Sequence, residues 1–145
     1  MNNEHQEIKT RINHNAPYCH SYQKVKNVLN NESKGIYQGK IFVKNIAQKT
    51  DAYQLSRALL LNDKAEFDAK PELEIYADDV KCSHGSTSGS IDLNSVHYLK
   101  SRGIPEKEAY QMLVNGFLSE ILEKLPKGKL KNFLIEKLES QINGH

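Results

Sequence analysis

A chain of 145 residues with 38% hydrophobic residues has the size of one domain with a modest core. Its 20 Lys and Arg against 18 Asp and Glu leave a net charge of +2 with no block of like charge, which argues against a nucleic-acid partner. Two cysteines are too few for a disulfide framework, Met1–Gln6 lacks the apolar core of a signal peptide, and the apolar stretch Met112–Leu122 is interrupted by Asn115, Gly116, Ser119 and Glu120, so a reducing, cytoplasmic setting with no membrane span is expected.

Residues 1–13 are expected to be a flexible N-terminal segment. His14, Cys19 and His20 then form a loose metal-like group, but their spacing fits no common zinc pattern. Up to about residue 90 the apolar residues tend to alternate: Ile41 and Val43 share one face, and Leu73, Ile75 and Ala77 another, which predicts short strands. Turn chemistry at Asn30-Asn31, Gly39, Asn62-Asp63, Lys70-Pro71, Asp78-Asp79 and His84-Gly85-Ser86 separates them. Many short strands with frequent corners suit a sandwich or a solenoid, and no aligned repeat decides between the two. Thr50–Leu61 is ambiguous: Ala52, Leu55, Ala58 and Leu59 fit a helical stripe, whereas Leu59-Leu60-Leu61 fits a buried strand. At Asp78-Asp79 the apolar phase slips by one residue; a bulge or corner explains this better than a catalytic carboxylate pair, because no third group orients the aspartates.

Lys81-Cys82-Ser83-His84-Gly85 is the most suggestive cluster. On an extended strand, side chains two apart share a face, so Cys82 and His84 point the same way. They read either as a structural Cys beside a turn His or as a thiolate and an imidazole reaching a common metal. Two ligands fall short of the four that a closed site needs, so a metal would require further ligands from a partner.

Beyond residue 90 the period becomes helical. Asp92 is a suitable N-cap for a helix carrying Leu93, Val96 and Leu99, and Gly103 can take the left-handed position that ends it. Pro105 suits the start of a second helix, to about residue 125, whose apolar residues Ala109, Met112, Leu113, Phe117, Leu118, Ile121, Leu122 and Leu125 are flanked by Tyr110 and Val114. That stripe is wide enough to meet a third helix or a partner chain. After Pro126 and Gly128, Leu130, Phe133, Leu134, Leu138 and Ile142 predict a last amphipathic helix. No phosphate-binding G-x-x-x-x-G-K-[ST] loop and no G-x-S-x-G elbow occurs. A helix-turn-helix reading of the Gly103 turn is disfavoured by the acidic start Pro105-Glu106-Lys107-Glu108 of its second helix.

The run Lys70-Pro71-Glu72-Leu73-Glu74-Ile75-Tyr76-Ala77-Asp78-Asp79-Val80-Lys81-Cys82-Ser83-His84-Gly85, continued by Tyr98-Leu99-Lys100-Ser101-Arg102-Gly103-Ile104-Pro105, closely resembles the C-terminal signature of SufD, in the SufB/SufD family of SUF iron-sulfur cluster assembly scaffolds. His14-x-x-Pro17, Ser21-x-Gln23, Gly39-Lys40-Ile41 and Ala47-Gln48-Lys49-Thr50-Asp51-Ala52-Tyr53-Gln54 support it. The resemblance implies a mainly β fold with α: the last coils of a right-handed parallel β-helix over residues 14–90, then a C-terminal helical domain over 91–145. It turns the Thr50–Leu61 ambiguity toward strand. It implies a scaffold subunit, not an enzyme, that pairs with SufB and binds the SufC ATPase through the helical domain, where Ile104, Tyr110, Val114, Phe117, Leu118 and Ile121 are the contact candidates. His84, with Cys82, would meet a transient iron-sulfur cluster at the SufB interface, a cluster that this chain alone would not hold. Family members are much longer, so a fragment or a reduced form is expected, either a working scaffold or a remnant that binds SufC without assembling clusters. The open end of so short a solenoid is expected to self-associate.

Overall fold

A computed structural model describes residues 4–123 and 125–143. The chain divides into two compact units, Met1–Gly89 and Ser90–His145.

The first unit contains six strands, β1 (His5–His14), β2 (His20–Leu29), β3 (Lys34–Val43), β4 (Asp51–Leu60), β5 (Glu66–Ile75) and β6 (Lys81–Ser90). Successive strands alternate between two three-stranded sheets, of order β1-β3-β5 and β2-β4-β6. β3 runs parallel to both β1 and β5, with His5 opposite Lys34 and Lys34 opposite Glu66. β4 runs parallel to β2, with His20 opposite Asp51. Parallel neighbours cannot be joined by a hairpin, so each connection crosses to the other sheet before the chain returns one rung further on.

The alternation of side chains fixes what lies inside. On β3, Tyr37, Ile41 and Val43 are fully buried, while Lys34, Gln38 and Lys40 point to the other side. Ile41 and Val43 pack with Ala47, Ala52 and Ala77, and Leu73, Val80 and Cys82 close the cluster. On β4 the buried residues are Ala52, Gln54, Ser56 and Ala58, leaving Leu55 and Leu59 half-buried on the opposite face. The ambiguous stretch is therefore strand over Asp51–Leu60, and the helical stripe does not form.

Backbone hydrogen bonds tie the corners of successive turns together. Tyr18 N donates to Gln48 O at 2.9 Å and Lys49 N to Asp79 O at 2.6 Å. Tyr18 and Lys49 adopt left-handed backbone conformations (φ 59° and 62°), which side chains with a Cβ resist, and these same bonds hold them there. Asp78 and Asp79 are exposed in a bend, where the Asp79 carboxylate pairs with Lys49; they are corner residues. On the outer face of the first sheet, Lys34 pairs with Glu66 at 3.0 Å and Lys40 with Glu74 at 2.5 Å across neighbouring rungs. Residues 5–13, expected to be a flexible lead-in, form most of β1, in register with β3.

The second unit contains α1 (Leu93–Ser101), α2 (Glu106–Glu123) and α3 (Lys129–Asn143). The Asp92 carboxylate caps α1, accepting from Asn94 N at 3.0 Å and from Ser95 Oγ at 2.6 Å. Gly103 has φ 88°, and Ile104 N returns to Leu99 O at 3.2 Å, a glycine-terminated C-cap. Val96, Ala109 and Val114 are the buried apolar residues of α1 and α2. The Ile142 side chain lies outside the described residues. Among the described residues, no helix is long and apolar enough to cross a membrane.

Candidate functional site

β6 is unlike the other strands: Lys81-Cys82-Ser83-His84-Gly85-Ser86-Thr87-Ser88-Gly89-Ser90 contains no branched aliphatic residue. Hydrogen bonding to β4 holds it in the sheet. Lys81 N donates to Thr50 O at 2.8 Å, and Ser56 Oγ donates to Ser86 Oγ at 3.0 Å. Small residues at these positions let the strand lie close to its neighbour: a Cβ on Gly85 would stand 3.2 Å from Leu55 Cδ1.

With a period of two, Cys82, His84 and Ser86 share one side of β6. Cys82 is half-buried against the core cluster, and His84 is exposed two residues further on. Burial pushes the Cys82 thiol up from its ordinary value, against the opposing effect of a hydrogen bond with the Ala52 backbone. The free chain thus holds Cys82 as a thiol, and a metal must displace its proton before the sulfur can ligate. Thiolate and imidazole suit iron or zinc. Among the described residues, no group of three or more His, Cys, Asp or Glu converges, so the pair by itself offers two donors at most.

The structure does not bring His14, Cys19 or His20 to this pair. His14 is buried at the end of β1, with its Nε2 2.9 Å from Ser21 Oγ; burial lowers its pKa below the ordinary histidine value. It is a core histidine and not part of an exposed segment. Cys19 is half-buried, His20 is exposed, and both cysteines are free.

In the helical unit, Ile104, Tyr110, Phe117, Leu118 and Ile121 are half-buried, whereas Val114 is buried and presents no surface for a partner. Leu93, Tyr98 and Met112 are the more exposed large apolar residues of α1 and α2. A groove of about 390 Å³ lies among Asp92, Asn94, Ser95, Tyr98, Leu99 and Leu113, of which Leu113 belongs to the apolar stripe of α2.

Sequence reasoning missed a buried polar row beside β6. Gln23 and Gln54 are opposite one another on β2 and β4, and Gln54 is 1% exposed. The signal was present in the alternation Ala52, Gln54, Ser56, Ala58, but Ala52, Leu55, Ala58 and Leu59 also fit a helical stripe, which left the strand's inner face undefined.

Parallel strands stacked in two sheets, followed by helices, are compatible with a β-helix-like fold, and a thiol and an imidazole lie on one side of its last strand. Residues 1–117 match the family described as SUF system FeS cluster assembly, SufBD core domain, and the chain belongs to that family. It is 39% identical over 144 residues to the iron-sulfur cluster assembly protein SufD of Escherichia coli, covering 99% of this chain and 34% of that protein. Identity is 34% over 133 residues to SufD of Bacillus subtilis, covering 92% and 30%. An iron-sulfur cluster assembly SufBD family protein of Synechocystis is 39% identical over 120 residues, covering 83% and 26%. The chain thus spans about a third or less of the length of these relatives.

Proposed function

We propose that this chain is a non-catalytic scaffold subunit of the SUF system, with its strands forming turns of a right-handed parallel β-helix that pairs with SufB. Its helical unit recruits the SufC ATPase through the half-buried face of Ile104, Tyr110, Phe117, Leu118 and Ile121. The nascent iron-sulfur cluster is cargo, held transiently by His84 and Cys82 together with ligands from SufB in the reducing cytoplasm. The observation that carries this reading is the placement of a thiol and an imidazole on one side of the final strand, two donors that need a partner to complete a site.

Cluster formation in a reconstitution with SufB and SufC, followed by its visible absorption, tests the reading. His84→Ala is expected to slow assembly roughly tenfold or more, the scale on which loss of a metal-site residue acts, and Cys82→Ala is expected to slow it less. An unchanged rate in His84→Ala overturns the ligand role. The short span relative to SufD proteins favours one alternative, a chain that binds SufC but assembles no cluster. Retention by immobilised SufC but not by SufB would select it.

A further inference from the structure

β6 continues the register of its sheet. Asp51 N donates to Cys19 O where Asp51 stands opposite His20. Lys81 N donates to Thr50 O in the same pattern, which sets Lys81 opposite Asp51. The Ser56–Ser86 hydroxyl bond falls on the same offset. Gln54 therefore stands opposite His84, as it stands opposite Gln23 on the other side.

Gln54 is buried, and one end of its amide is committed: Nε2 donates to Gly39 O at 3.3 Å. This orients Oε1 away from Gly39, and Oε1 is buried with no hydrogen-bond partner among the described residues. Gln23 Nε2, one rung back, is likewise buried without one. A buried carbonyl left without a donor is costly, and this one has two acceptor positions. Neighbouring rungs are about 4.8 Å apart, within reach of a ring N–H from one side and an amide N–H from the other.

We propose that Gln54 is the positioning residue for His84: with the His84 and Gln23 side chains turned from the positions they hold in the structure, its Oε1 accepts a hydrogen bond from one ring N–H of His84 and a second from Gln23 Nε2, so that the other ring nitrogen is the one turned outward. An exposed imidazole on a strand otherwise has free rotation and two tautomers. A hydrogen bond to a buried oxygen selects one orientation and one tautomer, which is how ligating histidines are commonly held. The consequence for cluster binding rests on the ligand role proposed above, whereas the contact itself does not.

The test is NMR of the full chain labelled with 15N-histidine, without metal, with His84 assigned by the His84→Ala variant. Wild-type His84 is expected to show a ring N–H that exchanges with solvent at least tenfold more slowly than those of the exposed His5 and His20, and a single tautomer. Gln54→Met should abolish both signatures, while Gln23→Met, which disturbs the same polar row one rung away, should leave the His84 tautomer unchanged. A wild-type His84 ring N–H exchanging as fast as those of His5 and His20 overturns the contact, whatever the variants do. A protected ring combined with normal cluster assembly in His84→Ala supports the contact and overturns the ligand role. An unprotected ring combined with failed assembly in His84→Ala overturns the contact and keeps the ligand role.

Discussion

His14 and His84 show how position decides what an imidazole does. His14 ends β1 inside the stack, bonded to Ser21 Oγ at 2.9 Å, and burial favours its neutral form. A histidine whose folded pKa is depressed contributes its full stability above the ordinary value of about 6.5, and that contribution is lost as pH falls from there toward the folded pKa. The urea midpoint is therefore expected to drop between pH 7.5 and pH 5, and His14→Gln, which keeps a donor for Ser21 but does not titrate, should flatten the drop. Equal pH slopes in the two proteins would show that His14 is not desolvated. The spacing of His14, Cys19 and His20 could not reveal this, because burial at the end of a strand depends on which rung lies beside it. Cys82 and His84 were readable as a same-face pair from their separation alone; that Gln54 lies opposite His84 is a property of the register and not of the local sequence.

At the scale of elements, β3 and β4 meet through a close approach. A Cβ at Gly39 would collide with the Gln54 amide and the Tyr37 hydroxyl, and that hydroxyl shares a 3.1 Å hydrogen bond with Thr10 Oγ1. These side-chain ends are buried and bonded, so they have little room to yield. Gly39→Ala is expected to destabilise the first unit by about 1–3 kcal/mol, the usual cost of overpacking, read as a lower urea midpoint with an unchanged m-value. A midpoint within error of wild type would mean that the polar row repacks freely. Gly39 was legible only as turn chemistry; it lies within β3 because its missing side chain makes room for a neighbour's. β4 was ambiguous for a related reason. Its interior carries Gln54 and Ser56 while Leu55 and Leu59 lie on the opposite face, reversing the pattern that hydrophobicity predicts. The helices were more legible, since a cap such as Asp92 and a left-handed Gly103 act within a few residues of themselves.

For the whole molecule, the first and last strands of each sheet have a neighbour on one side only. Such edges offer unpaired backbone groups to another chain. Self-association is accordingly expected to rise with concentration in size-exclusion chromatography, and a monomer that persists at roughly 100 μM would count against it. The alternation of strands between sheets was not readable as a repeat. Rungs of the first sheet begin at His5, Lys34 and Glu66, and those of the second at His20, Asp51 and Lys81, so the interval changes from turn to turn. The chain between β3 and β4 is longer than that between β1 and β2, and Ile46 protrudes from it with 65% of its surface exposed, yet the corner bonds on either side of it, from Tyr18 to Gln48 and from Lys49 to Asp79, remain in place. The molecule keeps time by paired rungs rather than by residue number: a corner can swallow two extra residues and bulge outward while the strands on either side stay in step with their neighbours.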